Sequence, residues 1–266
     1  MNKLLLLSDE ERKSGFVAAS SGNHGIALAT AAQELGIEGL VVLPEGASAQ
    51  KAAKLESLGV EVKWHGNDCV LAEAHGRQLA AEMDRTFISP YNDPEVMAGQ
   101  GTLALEALDS VSPIDLAFVT VGGGGLIGGV GTALRQHCPE VEIIGCQPSA
   151  SAVMAHSVAH GSILDLPSEP TLSDGSAGGL EAGSMTFAIC RDLVDEFTLV
   201  SEAEIARGIR HMVEWEKLVV EGAGSVAIAA LMKHHESGRS LQGKTVLVVI
   251  CGGNISAETL SGAMIS

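Results

Sequence analysis

Basic residues are scarce in this sequence. Its 266 residues include 16 Lys and Arg against 33 Asp and Glu, a formal net charge of −17 at pH 7. Because so acidic a surface repels phosphate backbones and anionic lipid headgroups, the charge balance argues against binding to nucleic acid or to a membrane surface. Any small anion must therefore be held by local hydrogen-bond donors.

Paired cysteines and long apolar runs are also missing. The five cysteines show no CxxC spacing and are odd in number, which favours reduced thiols and a cytoplasmic protein. The longest apolar runs, such as 226–232, are too short to span a bilayer. The leucines near the start are followed at once by charges, so we expect no signal peptide.

Alternating strand and helix patterns are present almost from the start. Apolar strand runs are predicted at 16–20, 40–43, 60–64, 86–89, 115–121, 141–147, 197–200 and 245–251. Helices are predicted at 2–14, 24–35, 48–58, 68–84, 95–109, 126–137, 151–160, 186–193, 202–216 and 221–236. Uninterrupted apolar strands that alternate with helices predict an α/β fold with parallel sheets covered by helices.

Three unusual segments follow predicted strands directly. They are 20–25, 122–125 and 251–254. In sheets of this kind ligands bind beyond the carboxyl ends of the strands. We therefore treat all three segments as candidate binding sites.

The first segment is Ser20-Ser21-Gly22-Asn23-His24-Gly25, between a strand and a helix. Free N–H groups at a helix N-terminus attract anions, and the hydroxyl, amide and imidazole groups could hold a carboxylate and a phenolic oxygen. The alternative is an ordinary N-cap turn, in which the serine and asparagine side chains only satisfy the backbone.

The second segment is a run of four glycines, Gly122–Gly125, before Leu126 and a helix. Consecutive N–H donors without side chains can cradle a phosphate even in an acidic protein, although a flexible hinge is the simpler alternative. Gly123, Gly125 and Gly128 also match G-x-G-x-x-G, which is typical of dinucleotide-binding oxidoreductases. That fold requires an acid at the end of the next strand, and this strand ends at Gln147.

The third segment is Cys251-Gly252-Gly253-Asn254. A thiol at a strand end followed by two glycines can face a ring nitrogen at close range. A free cysteine is also often a small buried apolar residue, so this segment alone leaves both interpretations open.

Taken together, the segments resemble fold-type II pyridoxal-phosphate (PLP) enzymes, and specifically the serine/threonine dehydratase and serine racemase group. SSGNHG, NDPEVMAGQGTLALE (92–106), GGGGL (122–126) and CGGN occur in the family's order and approximate spacing. The resemblance implies a two-domain fold of the tryptophan synthase β type. We expect a small domain over 15–91 and a large PLP-binding domain from 1–14 and 92–266.

The resemblance also implies roles for individual residues in binding PLP. Asn23 would contact the phenolic oxygen, Gly122–Gly125 and Leu126 would bind the phosphate, and Cys251 would meet the pyridine nitrogen. Gly175 and Glu221 match positions that line the ring region.

Substrate roles follow from the same resemblance. Ser20, Ser21, Asn23 and His24 would hold the carboxylate of a small amino acid, and Ser21 is the candidate second acid/base of racemising members. A neutral thiol at the ring nitrogen favours loss of a β-substituent. We therefore expect dehydration of L-threonine or L-serine to a 2-oxo acid and ammonia, with the chemistry supplied by PLP. Dimers or tetramers are typical of the family.

Two positions depart from the pattern of racemases and some dehydratases, which bind a divalent ion through acids after the IIGCQP strand. Here those positions are Gln147 and Val153, which do not make a hard-cation site, so we expect no metal and a weaker case for serine racemase. His156 and His160 are four residues apart but lack a third ligand, which favours a solvated helix face over zinc.

The Schiff-base lysine is the larger departure. Family members carry S-F-K-x-R-G-A-x-N-K-L, and Met1-Asn2-Lys3-Leu4 aligns with the end of that string, so the sequence is interpreted as truncated at its amino end. Lys3 would lie seven positions past the family lysine, roughly 10 Å along a helix. The other lysines occur in unrelated contexts: Lys13, Lys51, Lys54, Lys63, Lys217, Lys233 and Lys244.

Three hypotheses therefore remain open. The sequence is part of an active dehydratase, or it is a natural lysine-less relative that binds PLP or an amino acid without turnover, or it is the dinucleotide-binding oxidoreductase. We favour the first for family identity and expect little lyase activity from the 266 residues alone.

Overall fold

The chain divides into two compact units. A computed structural model of the protein describes residues 1–20, 22–47, 49–67 and 69–265. Met1–Gly99 form the first unit and Gln100–Ser266 the second. Each unit is built on its own sheet.

The first unit is a four-stranded parallel sheet in the order β3-β2-β1-β4. Its strands are β1 Phe16–Ala19, β2 Gly39–Leu43, β3 Glu61–Trp64 and β4 Thr86–Phe87. Its helices are α1 Asn2–Leu6, α2 Asp9–Ser14, α3 Asn23–Leu35, α4 Ala49–Ser57 and α5 Cys69–Glu82, and α6 Pro94–Ser110 spans the point of division.

Successive residues of β1 point to opposite faces of this sheet, as the two-residue period of a strand requires. Phe16 packs with Leu28 of α3 and Leu55 of α4, whereas Val17 packs with Ala72 and Ala80 of α5. Both faces of the sheet are therefore apolar and covered by helices. This explains why the sequences of its inner strands are unbroken hydrophobic runs.

The second unit repeats this plan with a parallel sheet in the order β7-β6-β5-β8. Its strands are β5 Leu116–Thr120, β6 Glu142–Pro148, β7 Glu196–Val200 and β8 Val246–Val248. Its helices are α7 Gly125–His137, α8 Val153–His160, α9 Met185–Leu193, α10 Glu202–His211, α11 Gly222–Glu236 and α12 Ala257–Ile265. Phe118 packs toward α10 and α11, and its neighbour Val119 toward α7 and α9.

These two sheets confirm the predicted α/β fold with parallel sheets covered by helices. Two observed helices differ from the predicted ones, and each difference has a local cause. The single helix predicted at 2–14 is broken at Leu7, because Ser8 and Glu11 form a reciprocal capping box that starts α2. The helix predicted at 202–216 changes at Met212 into a π-helical turn, which ends at Lys217 with a φ of 60°.

The unit boundary also differs from the predicted domain boundary, which placed 1–14 and 92–99 in the large domain. Leu4 and Leu7 pack into the same buried cluster as Phe16 and Ile88. That contact places the amino-terminal helix with the first sheet.

Polar contacts tie the same helix to the start of α6. The Lys3 ammonium lies 3.0 Å from carboxylate oxygens of both Asp93 and Glu95. Asp93 also accepts hydrogen bonds from the N–H groups of Glu95 and Val96 at 2.9 and 3.0 Å, so its mostly buried carboxylate caps α6.

Among the helices of the described residues, none has both the length and the apolar character needed to cross a bilayer.

Asp93→Ala is expected to lower the free energy of unfolding by about 1–3 kcal/mol, because it removes a helix cap and leaves Lys3 with one partner. Urea denaturation followed by circular dichroism measures this change. Glu34→Ala, on the exposed face of α3, is the control and should shift it by less than about 0.5 kcal/mol. Equal effects of the two substitutions would contradict the capping role.

Candidate active site

The four-glycine turn lies where β5 ends and α7 begins. Gly124 is the N-cap of α7 in the left-handed conformation, with a φ of 89°, and no side chain caps this helix. Within the described part of the chain, the backbone N–H groups of Gly122, Gly123 and Gly124 have no hydrogen-bond acceptor. Leu126 follows in the first turn of the helix, packed against the core. The turn thus presents a set of unused donors at a helix N-terminus, which suits an anion.

Neighbouring segments pack so closely on this turn that side chains are excluded. A Cβ atom on Gly122 would lie 2.9 Å from the carbonyl oxygen of Ser176. A Cβ atom on Gly124 would lie 2.9 Å from both the Cys190 Sγ atom and the Met154 Cε atom. Glycine is therefore required by space at both positions, and at Gly124 also by the backbone conformation. A flexible hinge does not need such packing.

The segment after β8 lies at the same edge of the sheet. β8 runs parallel to β5, with Phe118 paired to Val248, so the glycine turn and Cys251 both follow carboxyl ends of adjacent strands. Cys251 is partly buried at this edge. Because burial disfavours the thiolate, the pKa of Cys251 is raised to about 11. The thiol is therefore neutral at pH 7.

Glu221 organises the backbone beside Cys251. Its carboxylate accepts a hydrogen bond from the Asn254 N–H group at 2.9 Å, and its own N–H group donates to the Gly252 carbonyl at 3.1 Å. A Cβ atom on Gly252 would overlap this carboxylate, and one on Gly175 would lie 3.4 Å from it. The structure thus brings together Gly175, Glu221 and Cys251, the three residues that the sequence assigned to the ring region.

The serine-rich segment belongs to the first unit. β1 ends at Ala19 and α3 begins at Asn23, with Gly22 as an N-cap that has no side-chain hydrogen bond. The Ser20 hydroxyl accepts from the Gly22 N–H group at 3.2 Å. Ser21 lies outside the described residues.

Two further residues of this segment are fixed in place. A Cβ atom on Gly25 would overlap the carbonyl of Ser20, so the turn is tight. The His24 Nε2 atom lies 3.3 Å from the Ile88 carbonyl oxygen, and burial of the imidazole lowers the pKa of His24 to about 4. His24 is therefore a neutral hydrogen-bonding group at pH 7, next to the exposed Asn23.

The positions that bind a divalent ion in racemases have other roles here. The Gln147 side-chain oxygen accepts from the Ala155 N–H group at 2.7 Å, and Val153 is buried. His156 and His160 are exposed. The described residues contain no group of three or more His, Cys, Asp or Glu arranged to hold a metal. Gln147 at the end of β6 also leaves the dinucleotide alternative without its ribose-binding acid.

Four lysines form ion pairs or hydrogen bonds within their own unit. Lys3 pairs with Asp93 and Glu95, and Lys63 with Glu61. Lys233 donates to the Leu199 carbonyl at 2.8 Å, and Lys217 donates to the Glu214 carbonyl.

The sequence patterns did not predict the hydroxyl groups around the glycine turn. Thr186 donates to the Gly123 carbonyl at 2.6 Å, and the Ser184 hydroxyl lies 2.7 Å from the Thr186 hydroxyl. The only sequence signal was a polar start to the helix predicted at 186–193. Its pairing with a turn more than sixty residues earlier is a property of the tertiary fold.

His24 is expected to titrate near pH 4 rather than at its ordinary value of about 6.5. Because protonation then favours the unfolded state, the stability that neutral His24 contributes is present above about pH 6.5 and is lost as the pH falls toward 4. Histidine ring resonances followed by NMR against pH, assigned with His24→Gln, measure the midpoint. A midpoint near 6.5 would contradict the burial of this imidazole.

Cys251 is expected to react with iodoacetamide at least about tenfold more slowly than a cysteine in a short peptide at neutral pH, because little thiolate is present. Mass spectrometry of the digested protein measures labelling at this position, and Cys251→Ser identifies its peptide. Labelling of Cys251 at the peptide rate would show an activated thiol instead.

Comparison with known proteins places these features in a family. The sequence matches the family described as pyridoxal-phosphate dependent enzyme over residues 1–252. It is 40% identical to the L-threonine ammonia-lyase of Thermotoga maritima over 97% of this chain, and spans 63% of that protein's length.

Solved structures agree with the sequence match. The processed form of threonine deaminase isoform 2 from Solanum lycopersicum superposes with a TM-score of 0.92 at 31% identity, over 99% of this chain and 76% of that one. Maize serine racemase superposes with a TM-score of 0.90 at 32% identity, over 99% of this chain and 80% of that one. With its parallel sheets and this extent of matching sequence, the chain belongs to the pyridoxal-phosphate dependent enzyme family.

Proposed function

We propose that this chain carries the active-site scaffold of a PLP-dependent L-threonine or L-serine ammonia-lyase. Such an enzyme removes the α-proton and the β-hydroxyl, and hydrolysis then releases a 2-oxo acid and ammonia. The supporting observation is a pair of features at one sheet edge, namely unused N–H donors at Gly122–Gly124 and a neutral thiol at Cys251. The relatives named above as threonine ammonia-lyase and threonine deaminase support the same reaction.

The glycine turn is proposed to hold the phosphate of PLP. Its donors have no acceptor within the described residues, and a Cβ atom would fill the space at Gly122 and Gly124. Backbone N–H groups at a helix N-terminus bind a phosphate without a cationic side chain, which suits a chain with a net charge of −17. The N–H groups of Gly125 and Leu126 extend the set.

The residues after β8 are proposed to hold the pyridine ring. When bound, PLP supplies an electron sink for the substrate's α-carbon. The protein's part is to orient and tune the ring. Since Cys251 is neutral, it can hydrogen-bond the ring nitrogen without adding a charge there, whereas a carboxylate would keep that nitrogen protonated. Glu221 and Gly175 shape the ring region, and Asn23 is proposed to contact the phenolic oxygen.

The substrate's carboxylate is proposed to bind the segment at the start of α3. The N-terminus of α3 has no side-chain cap, and the Ser20 hydroxyl, the Asn23 amide and the neutral His24 imidazole lie there. Ser21 completes the proposed set as a substrate contact and candidate acid/base.

Serine racemase is the second candidate, because maize serine racemase has the same fold at 32% identity. Racemisation requires acid/base groups on both faces of the substrate and retains its hydroxyl. Gln147 binds the backbone of α8, and Val153 is apolar, so neither offers the carboxylate that racemases use for a divalent ion. The ammonia-lyase reaction is therefore preferred.

The cellular setting is also a proposal. Cys138, Cys146, Cys190 and Cys251 are free thiols, which favours the cytoplasm. A small amino acid is the expected ligand, and association into a dimer or tetramer is expected by analogy with the family.

Release of 2-oxo acid from L-threonine and L-serine tests the reaction. Two forms are compared: the 266-residue chain, and the same chain preceded by the family's lysine-bearing S-F-K-x-R-G-A segment. The second form should release 2-oxo acid and ammonia, and the first should be at least about a thousandfold slower because it has no lysine in that context. Conversion of L-serine to D-serine without 2-oxo acid would favour the racemase, and activity in neither form would contradict the proposal.

Gly124→Ala is expected to weaken binding of pyridoxamine 5′-phosphate at least about tenfold, because the added Cβ atom displaces the turn. This ligand needs no covalent link, so equilibrium dialysis measures the effect on the 266-residue chain. Gly161→Ala is a matched control, since Gly161 also has a φ of 89° but nothing within 4 Å of an added Cβ atom. Equal losses from both substitutions would show a general effect of backbone strain.

A further inference from the structure

The glycine turn is held by a chain of two hydroxyl groups from the start of α9. Thr186 has one hydroxyl proton, and it donates that proton to the Gly123 carbonyl at 2.6 Å. In the 2.7 Å contact between Ser184 and Thr186, the donor must therefore be Ser184. The direction of donation in this hydroxyl chain is therefore fixed: Ser184 donates to Thr186, and Thr186 donates to the Gly123 carbonyl.

Neither hydroxyl has an evident local role in its own helix. Ser184 is the N-cap of α9, yet its side chain makes no capping hydrogen bond. Ser184 and Thr186 are almost fully buried. Burying two hydroxyl groups costs free energy unless they are hydrogen-bonded, so their shared target on the glycine turn accounts for their presence.

Holding this carbonyl also sets the direction of a neighbouring donor. In a trans peptide the C=O group of one residue and the N–H group of the next point in opposite directions. With the Gly123 carbonyl turned toward Thr186, the Gly124 N–H group must point away from α9. That N–H group is one of the three without an acceptor in the described structure.

Glycine makes such an external restraint necessary. A run of glycines has no Cβ atoms to limit its backbone angles, so a peptide plane in the turn could rotate and present a carbonyl to a bound anion. Close packing limits this rotation at Gly124, where an added Cβ atom would lie 3.0 Å from the Thr186 Cβ atom. The hydroxyl chain restrains the preceding peptide plane directly.

We propose that Thr186, supported by Ser184, is a positioning residue that aims the N–H donors of the glycine turn at the phosphate of the cofactor. The inference rests on the proposed role of this turn in phosphate binding. It adds that recognition of the phosphate depends on side chains of α9 that do not touch it.

The test compares two ligands that differ only in the phosphate, pyridoxamine 5′-phosphate and pyridoxamine. Their dissociation constants are measured by equilibrium dialysis on the 266-residue chain, and the ratio of the two gives the phosphate preference. Thr186→Val keeps the shape of the side chain and removes the hydroxyl. We expect it to reduce the phosphate preference about tenfold with little change in pyridoxamine binding, as loss of one buried hydrogen bond implies.

Three further variants make the result specific. Thr186→Ser restores the hydroxyl and should recover the preference to within about twofold. Thr198→Val, the same substitution on β7, should leave it unchanged. Ser184→Ala should reduce it about threefold, because Thr186 loses the donor that polarises it. If Thr186→Val does not fold, Ser184→Ala provides the decisive comparison.

The outcomes separate this inference from the proposed site. If the parent chain shows no phosphate preference, or Gly124→Ala leaves it intact, the turn is not the phosphate site and both ideas fail. If Gly124→Ala abolishes the preference while Thr186→Val retains it, the turn binds phosphate and the positioning role is wrong. Equal weakening of both ligands by Thr186→Val would show only a structural role, which also overturns the inference.

Discussion

The direction of a few backbone N–H groups is the constraint on which the proposed phosphate site depends. A chain with a net charge of −17 offers no general attraction to a phosphate, so local donors must supply it. Gly122, Gly123 and Gly124 provide donors without acceptors in the described structure, at the N-terminus of α7. Because glycine does not fix its own conformation, the surrounding residues have to hold these donors. Close packing and one hydrogen bond hold the turn, and the residues that provide them are Ser176, Met154, Cys190 and Thr186.

The sheet provides the frame for this arrangement. β5 and β8 are parallel neighbours, so their carboxyl ends bring the glycine turn and Cys251 to one edge. Burial keeps the thiol neutral, and Glu221 holds the backbone that follows it. The proposed chemistry uses both features of this edge. The glycine turn would fix the cofactor's position by binding its phosphate, and the neutral Cys251 thiol would add no charge beside its ring nitrogen.

The sequence predicted most of the fold because its signals were local. Apolar runs such as 116–120 alternate with helices, and the parallel sheets followed from that pattern. The break at Leu7 was missed, although Ser8 and Glu11 have capping-box spacing, because the leucines around it continue a helical pattern. The helix at 257–265 was not predicted at all. The family motifs predicted the glycine turn and Cys251 as site residues, whereas Thr186 and Ser184 could not be found without the fold that brings α9 to the turn.

In the proposed site, the backbone amides of the glycine turn contact a phosphate. Amide resonances of Gly122–Gly125 in a nitrogen-15 NMR spectrum report on this contact directly. Addition of pyridoxamine 5′-phosphate should move these amide protons downfield, as formation of charge-assisted hydrogen bonds requires, while pyridoxamine should leave them nearly in place. Unchanged glycine resonances at a saturating concentration of the phosphate ligand would contradict phosphate binding by this turn.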